Sequence, residues 1–268
     1  MITIPMNTKG AFDRSTLSDI NSSFRQGAVN AQNIASINKP RITGGSPGSG
    51  SAGGTSPVHA AGTAANQIRP AGTQREKSPA PPLYNPIKKG QKTVLAPGRP
   101  IPAVHACFGW ETADSRCDLD VSAFLLTEDG KVPGDSWFVF YGQTVSPDRS
   151  TSFHEEENAA HREKISIQLT RLNPSVKKIV FVLTINDALE NGLNFGMVKD
   201  AYVRILDADG RTELVSFRMT DYYSNVISMM IGELYLHNGI WKFNAIGNGV
   251  ARDLAGLCEL YGVEVRNC

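Results

Sequence analysis

Cys117-Asp118-Leu119-Asp120-Val121-Ser122-Ala123-Phe124-Leu125-Leu126 is the stretch whose reading decides the fold. Its run of Val, Phe and Leu ends at the turn signal Asp129-Gly130, so it reads as a strand. Alternate residues of a strand share a face. Leu119, Val121, Ala123 and Leu125 make one wholly apolar face. Asp118, Asp120, Ser122, Phe124 and Leu126 make the other, which opens on two carboxylates and then turns apolar. Two acids thus stand at the mouth of a core, where charge is costly unless something positive joins them.

The surrounding runs point to an all-β body. Val104 to Trp110 is a second apolar run, and Trp137 to Tyr141 reads as an uninterrupted strand buried on both faces. Lys89 to Lys92 leads into a first strand pair. Ile165, Ile167 and Leu169 alternate as in a half-buried strand, and Ile179 to Ile185 is the longest apolar run, hence a central strand. Hairpins are expected around Asp209-Gly210 and Asn238-Gly239. A helical period appears only at the end, with Leu254, Leu257, Cys258 and Tyr261. Many short strands with Gly/Asn/Asp turns mean a sandwich or barrel, here with one C-terminal helix.

The N-terminal third differs in kind. Residues 1–38 are a polar tail, with Leu17, Ile20 and Phe24 at the spacing of a short amphipathic helix. Residues 39–86 are rich in Gly, Ser, Ala and Pro, with no aromatic between Phe24 and Tyr84. Such a segment buries too little apolar surface to offset its ordering entropy, so it reads as a disordered, flexible linker. Residues 87–268 form the folded domain.

Composition narrows the function. The chain has 268 residues, 41% hydrophobic and 20% charged, with a net charge of +1. That leaves no nucleic-acid footprint. Residues 1–86 carry eight Lys/Arg against three Asp/Glu, so the remainder is mildly acidic. Cys107, Cys117, Cys258 and Cys268 form no Cys-x-x-Cys pair, as expected for free thiols in a reducing, cytoplasmic compartment. The N-terminus shows no ordinary secretory signal, and no apolar stretch approaches ~20 residues, so no transmembrane segment is expected. Peripheral membrane contact stays open.

The catalytic motifs surveyed are absent: no Gly-x-Ser-x-Gly elbow, phosphate-cradling loop or His-Glu-x-x-His occurs. A hydrolase built on Glu155, Glu156 and Glu157 would need a pocket and a partner that the sequence does not supply. His154 and His161 flank that acidic segment, as in a solvated loop or a transition-metal site. Calcium takes ~6–8 oxygen ligands, and Asp118 and Asp120 could offer up to about four of them. Asp114, Asp148, Glu155 to Glu157 and Asn194 are candidates to complete the shell. The same spacing also fits two acids that simply face water at a strand start.

Several segments together resemble the tellurium-resistance TerD domain. They are Phe108-Gly109-Trp110-Glu111, Asp118 to Leu126, Ser146-Pro147-Asp148, Val176 to Val182, Asn194-Phe195-Gly196, Gly232-Glu233-Leu234-Tyr235, Trp241-Lys242-Phe243 and Ala245-Ile246-Gly247. They keep the family's order across roughly residues 87–265. The resemblance implies a TerD-like β-sandwich, calcium bound at one end of it, and a place in tellurite-resistance or general stress-response systems. It implies no enzyme activity, and protein partners among other stress-response proteins. In the family, Ser-Pro-Asp is followed by Gly and a long loop ending in Gly-Asp-Asp-Glu. Here Arg149 replaces that glycine and a shorter acidic segment follows. The expectation is one calcium site drawn from Asp118, Asp120, Asp148, Asn194 and Glu155. The alternative is a metal-free interaction module that has lost part of the site.

Overall fold

A computed structural model describes residues 80–156 and 161–265. Eleven strands are laid down in order: β1 (Lys92–Val94), β2 (Val104–Thr112), β3 (Leu119–Leu126), β4 (Phe138–Val139), β5 (Thr151–Glu155), β6 (Glu163–Ile167), β7 (Lys178–Ile185), β8 (Val198–Asp207), β9 (Glu213–Arg218), β10 (Ser228–His237) and β11 (Ile240–Val250). Two helices, α1 (Ala188–Asn191) and α2 (Leu254–Tyr261), complete the described elements together with two 3-10 turns. The strands form a six-stranded sheet in the order β1-β11-β10-β7-β3-β4 and a five-stranded sheet in the order β5-β6-β2-β8-β9. Every pairing between strands is antiparallel.

The opening strand explains the layering. All eight residues of β3 are buried. Leu119, Val121, Ala123 and Leu125 enter the core between the sheets, with Val104, Ala106, Phe108 and Ile165 of the facing sheet. Phe124 and Leu126 point the other way, into a second core closed by Leu254, Leu257, Cys258 and Tyr261 of α2. The sheet is therefore covered on both faces where β3 and β7 run, which is why their sequences read as nearly continuous apolar runs. Asp253 caps α2 by accepting the Gly256 N–H at 2.9 Å, and Gly262 at φ 80° ends it.

Two expectations change. The run Trp137 to Tyr141 is not one strand. Only Phe138 and Val139 pair with β3, after a 3-10 turn over Asp135–Trp137. Phe140 and Gln143 then exchange backbone hydrogen bonds and turn the chain back. The aromatic rings are spent on each other: Phe138 stacks on Phe124 at 4.4 Å and on Phe140 at 4.6 Å. The first strand pair is also absent. β1 is a lone three-residue edge strand that pairs with β11, late in the chain, because Pro97, Pro100 and Pro102 prevent a neighbouring strand from following.

β4 covers only Ala123 and Phe124, so the first half of β3 has no strand on the edge away from β7. Glu163 fills that gap from the facing sheet. Its Oε2 accepts the Val121 N–H at 2.7 Å, with Glu163 only 1% exposed. At the start of the described chain, Tyr84 and Asn85 donate backbone N–H groups to Glu213 Oε1 at 2.8 and 2.7 Å. Asn85 to Ile87 run beside Ser216 and cover the free edge of β9.

Candidate metal centre

β3 begins where β7 ends. Their register pairs Leu119 with Ile185, so Asp118 lies opposite Asn186, whose N–H donates to the Asp118 carbonyl at 2.8 Å. Asp120 shares the Asp118 face and is 4% exposed. The two carboxylates converge on one amide. Asn186 Nδ2 donates to Asp118 Oδ2 at 3.2 Å and to Asp120 Oδ2 at 2.9 Å. Asn186 Oδ1, on the same amide, is buried and has no hydrogen-bond partner.

Asp187 follows in the left-handed region, φ 47° and ψ 31°. It occupies the N-cap position of α1, yet its side chain makes no capping bond. The residue is 7% exposed, and its Oδ1 is buried with no hydrogen-bond partner. Burial, then the charges of Glu190 and Asp118, push this carboxyl up to about 6.

The other expected residues divide by place. Asn194 lies in the β7–β8 connection at this same end, but its Oδ1 is engaged in accepting the Gly196 N–H at 3.0 Å. Asp114, in the β2–β3 connection, is held by Arg116 at 2.7 Å, and that hydrogen-bonded pair lowers its carboxyl. Glu155 ends β5, opposite Glu163 on the edge of the five-stranded sheet, and the structure does not bring it into the amide-bridged pair. Glu156 pairs with Lys164, and Glu157 lies outside the described residues.

Asp148 is at the far end of the sandwich. Its Oδ1 accepts from Ser146 Oγ at 2.7 Å and from Ser150 N and Oγ at 3.0 and 2.7 Å. Its Oδ2 accepts the Asn173 N–H at 2.8 Å, in the turn that feeds β7. Burial raises this carboxyl, but the four hydrogen bonds outweigh it and hold it below the usual range. Asp148 is therefore a turn organiser, a β3 length away from Asp118. Arg149 beside it sits at φ 56°, the left-handed conformation that a glycine takes without strain.

Sequence reasoning missed Asn186 and Asp187. A signal was present: they directly follow the longest apolar run, and an antiparallel pairing of that run with β3 brings its end to Asp118. The cysteines play no part in the centre. Cys107, Cys117 and Cys258 are free and buried, and burial pushes the Cys107 thiol up to about 12. Cys268 lies outside the described residues.

The family model described as TerD domain matches residues 85–261. The chain belongs to the TerD-domain family. It is 39% identical over 186 residues to the tellurium resistance protein TerD of Serratia marcescens, covering 66% of this chain and 96% of that protein. It is 35% identical over 189 residues to general stress protein 16U of Bacillus subtilis (strain 168), covering 67% of this chain and 97% of that one. A solved homologue of telluride resistance protein (TerD) from Streptomyces coelicolor A3(2) aligns at a TM-score of 0.46 and 18% identity, over 59% of this chain and 95% of that one.

In this TerD-domain protein the donor chemistry can be tested against calcium. Among the described residues, no three His, Cys, Asp or Glu side chains gather closely enough to hold a metal ion by themselves. The set at β3 and β7 is two carboxylates and an amide, with Asp187 alongside. All are hard oxygens, which suit calcium and not the softer transition metals. The uncommitted oxygens of Asn186 and Asp187 leave acceptor capacity for a cation beside them. A cation there would need further oxygens from backbone carbonyls or water.

Proposed function

We propose that this TerD-domain protein binds one calcium ion at the Asp118–Asp120 end of the sandwich and acts without enzymatic chemistry in a tellurite-resistance or stress-response system. One observation carries the reading. Two carboxylates converge on the amide of Asn186, beside two buried oxygens with no partner. Like charges so placed favour a cation. The names of the relatives support the stress-response setting. We place the protein in the cytoplasm, where it engages partner proteins of the same stress-response setting.

The amide bridge also favours a second reading, a metal-free interaction module, because Asn186 already supplies part of what a cation would. Thermal melting of the full chain separates the two. A rise in melting temperature at millimolar calcium, absent with magnesium at the same ionic strength, supports the calcium site. No rise with calcium favours the metal-free module.

A further inference from the structure

We propose that the Asn186 side chain is a cation-responsive switch. Its amide nitrogen holds Asp118 and Asp120 together when no cation is bound, and its amide oxygen turns in as a ligand when calcium arrives. This rests on the calcium site proposed above and specifies how that site changes state.

The geometry carries it in three steps. First, Nδ2 is a two-proton donor spent wholly on the two carboxylates, at 3.2 and 2.9 Å. It occupies the position between them that a cation would take. Second, the oxygen of the same amide is buried and has no partner, an arrangement that native proteins seldom leave in place. A half-turn about χ2 exchanges nitrogen and oxygen with almost no change of shape. That rotation withdraws the donors and presents an acceptor to the same spot. Third, the next residue adds an acceptor at the same strand end. Asp187 is 7% exposed and its Oδ1 is buried without a partner.

Asn suits this role better than Asp. A carboxylate at position 186 would add a permanent ligand but place a third or fourth negative charge beside Asp118, Asp120 and Asp187. The cation-free domain would then carry added repulsion. The backbone is not asked to move, because the Asn186 N–H stays bonded to the Asp118 carbonyl and the Ile185 N–H to the Ile227 carbonyl at 3.2 Å. The change is confined to one side-chain torsion.

The test uses nitrogen-15-labelled full chain and the side-chain NH2 resonances of Asn186, assigned by their loss in Asn186→Asp. In chelator, both protons are expected to resonate downfield and exchange slowly with water. With saturating calcium they should shift and exchange faster, in step with calorimetric saturation. Asn186→Asp should bind calcium about tenfold tighter or more, through the added ligand charge. Its melting temperature in chelator should fall on the order of 5 °C. If calcium binds with heat but the Asn186 resonances stay in place, the switch is wrong while the calcium site stands. If Asn186→Asp binds no tighter than the parent, the amide oxygen is not a ligand and the switch is again wrong. If the parent chain gives no heat with calcium, both the site and the switch fall. The resonances of the parent chain decide the matter even if the variant does not fold.

Discussion

Replacing Asp187 with asparagine should stabilise the cation-free protein at pH 8 and leave it unchanged near pH 4. The Asp187 carboxyl is pushed from 3.8 up to about 6 by burial and by the charges of Glu190 and Asp118. For an acid whose folded value lies above its unfolded value, the folded state holds the proton more tightly. Stability contributed by that proton is therefore present at low pH and lost as pH rises through roughly 4 to 6. Roughly two units at 1.36 kcal/mol each bound the penalty at about 3 kcal/mol, and partial access of water reduces it to about 1–3 kcal/mol. Asparagine is neutral throughout and accepts the left-handed φ of 47° that Asp187 adopts. It removes the penalty with little change in shape. Urea unfolding in chelator, at pH 8 and pH 4, measures the difference directly. A stabilisation of about 1–3 kcal/mol at pH 8 that vanishes at pH 4 is expected. A difference equal at both pH values, or a loss of stability at pH 8, would refute the electrostatic reasoning. Saturating calcium should shrink or reverse the gain, because a cation favours the charged form of Asp187 over the neutral amide.

Three further outcomes follow from other parts of the fold. Glu163→Ala should cost about 2–4 kcal/mol, through the lost Val121 acceptor and the cavity left behind, whereas Glu163→Gln, which keeps an acceptor, should cost less than half as much in urea titration. Arg149→Gly should raise stability by about 0.5–1 kcal/mol in the same assay, since Arg149 stands at φ 56° in a turn already closed by Asp148. Burial raises the Glu213 carboxyl, but hydrogen bonds from Asn85, Arg204 and Tyr84 outweigh it and hold the group below its ordinary range. The docking it supports is present above the unfolded value and is lost as pH falls through the folded one. Limited proteolysis with an acid-active protease should therefore show cleavage near residues 84–86 appearing once the pH falls below the ordinary carboxylate range, ahead of global unfolding.

The fold was legible wherever local patterning and tertiary burial agree. The alternation of β3, the two hairpins at Asp209-Gly210 and Asn238-Gly239, and the Leu254, Leu257, Cys258, Tyr261 face of α2 are all present as read. Asn238 and Gly239 both take positive φ, as a two-residue hairpin turn requires. The Trp137 to Tyr141 run misled because aromatic rings packing on one another and a strand buried on both faces leave the same signature. The site was half legible. Asp118 and Asp120 could be picked out by face, since periodicity within one strand is local. Their partner Asn186 comes from the turn that ends β7, 66 residues from Asp120, and only the β3–β7 register joins them. Asp148 shows the converse. An Asp after Ser-Pro looks the same whether it ligates or closes a turn, and here its four hydrogen bonds close the turn.

The central claim is that Asp118 and Asp120 form the core of a calcium site, and calorimetry of the full chain tests it most directly. Calcium is titrated into the parent protein and into the double variant Asp118→Asn, Asp120→Asn, both first treated with chelator. A saturable heat corresponding to one ion per chain in the parent, absent in a variant that still melts cooperatively, is the predicted result. Equal heats from both proteins, or no heat from the parent, would contradict it.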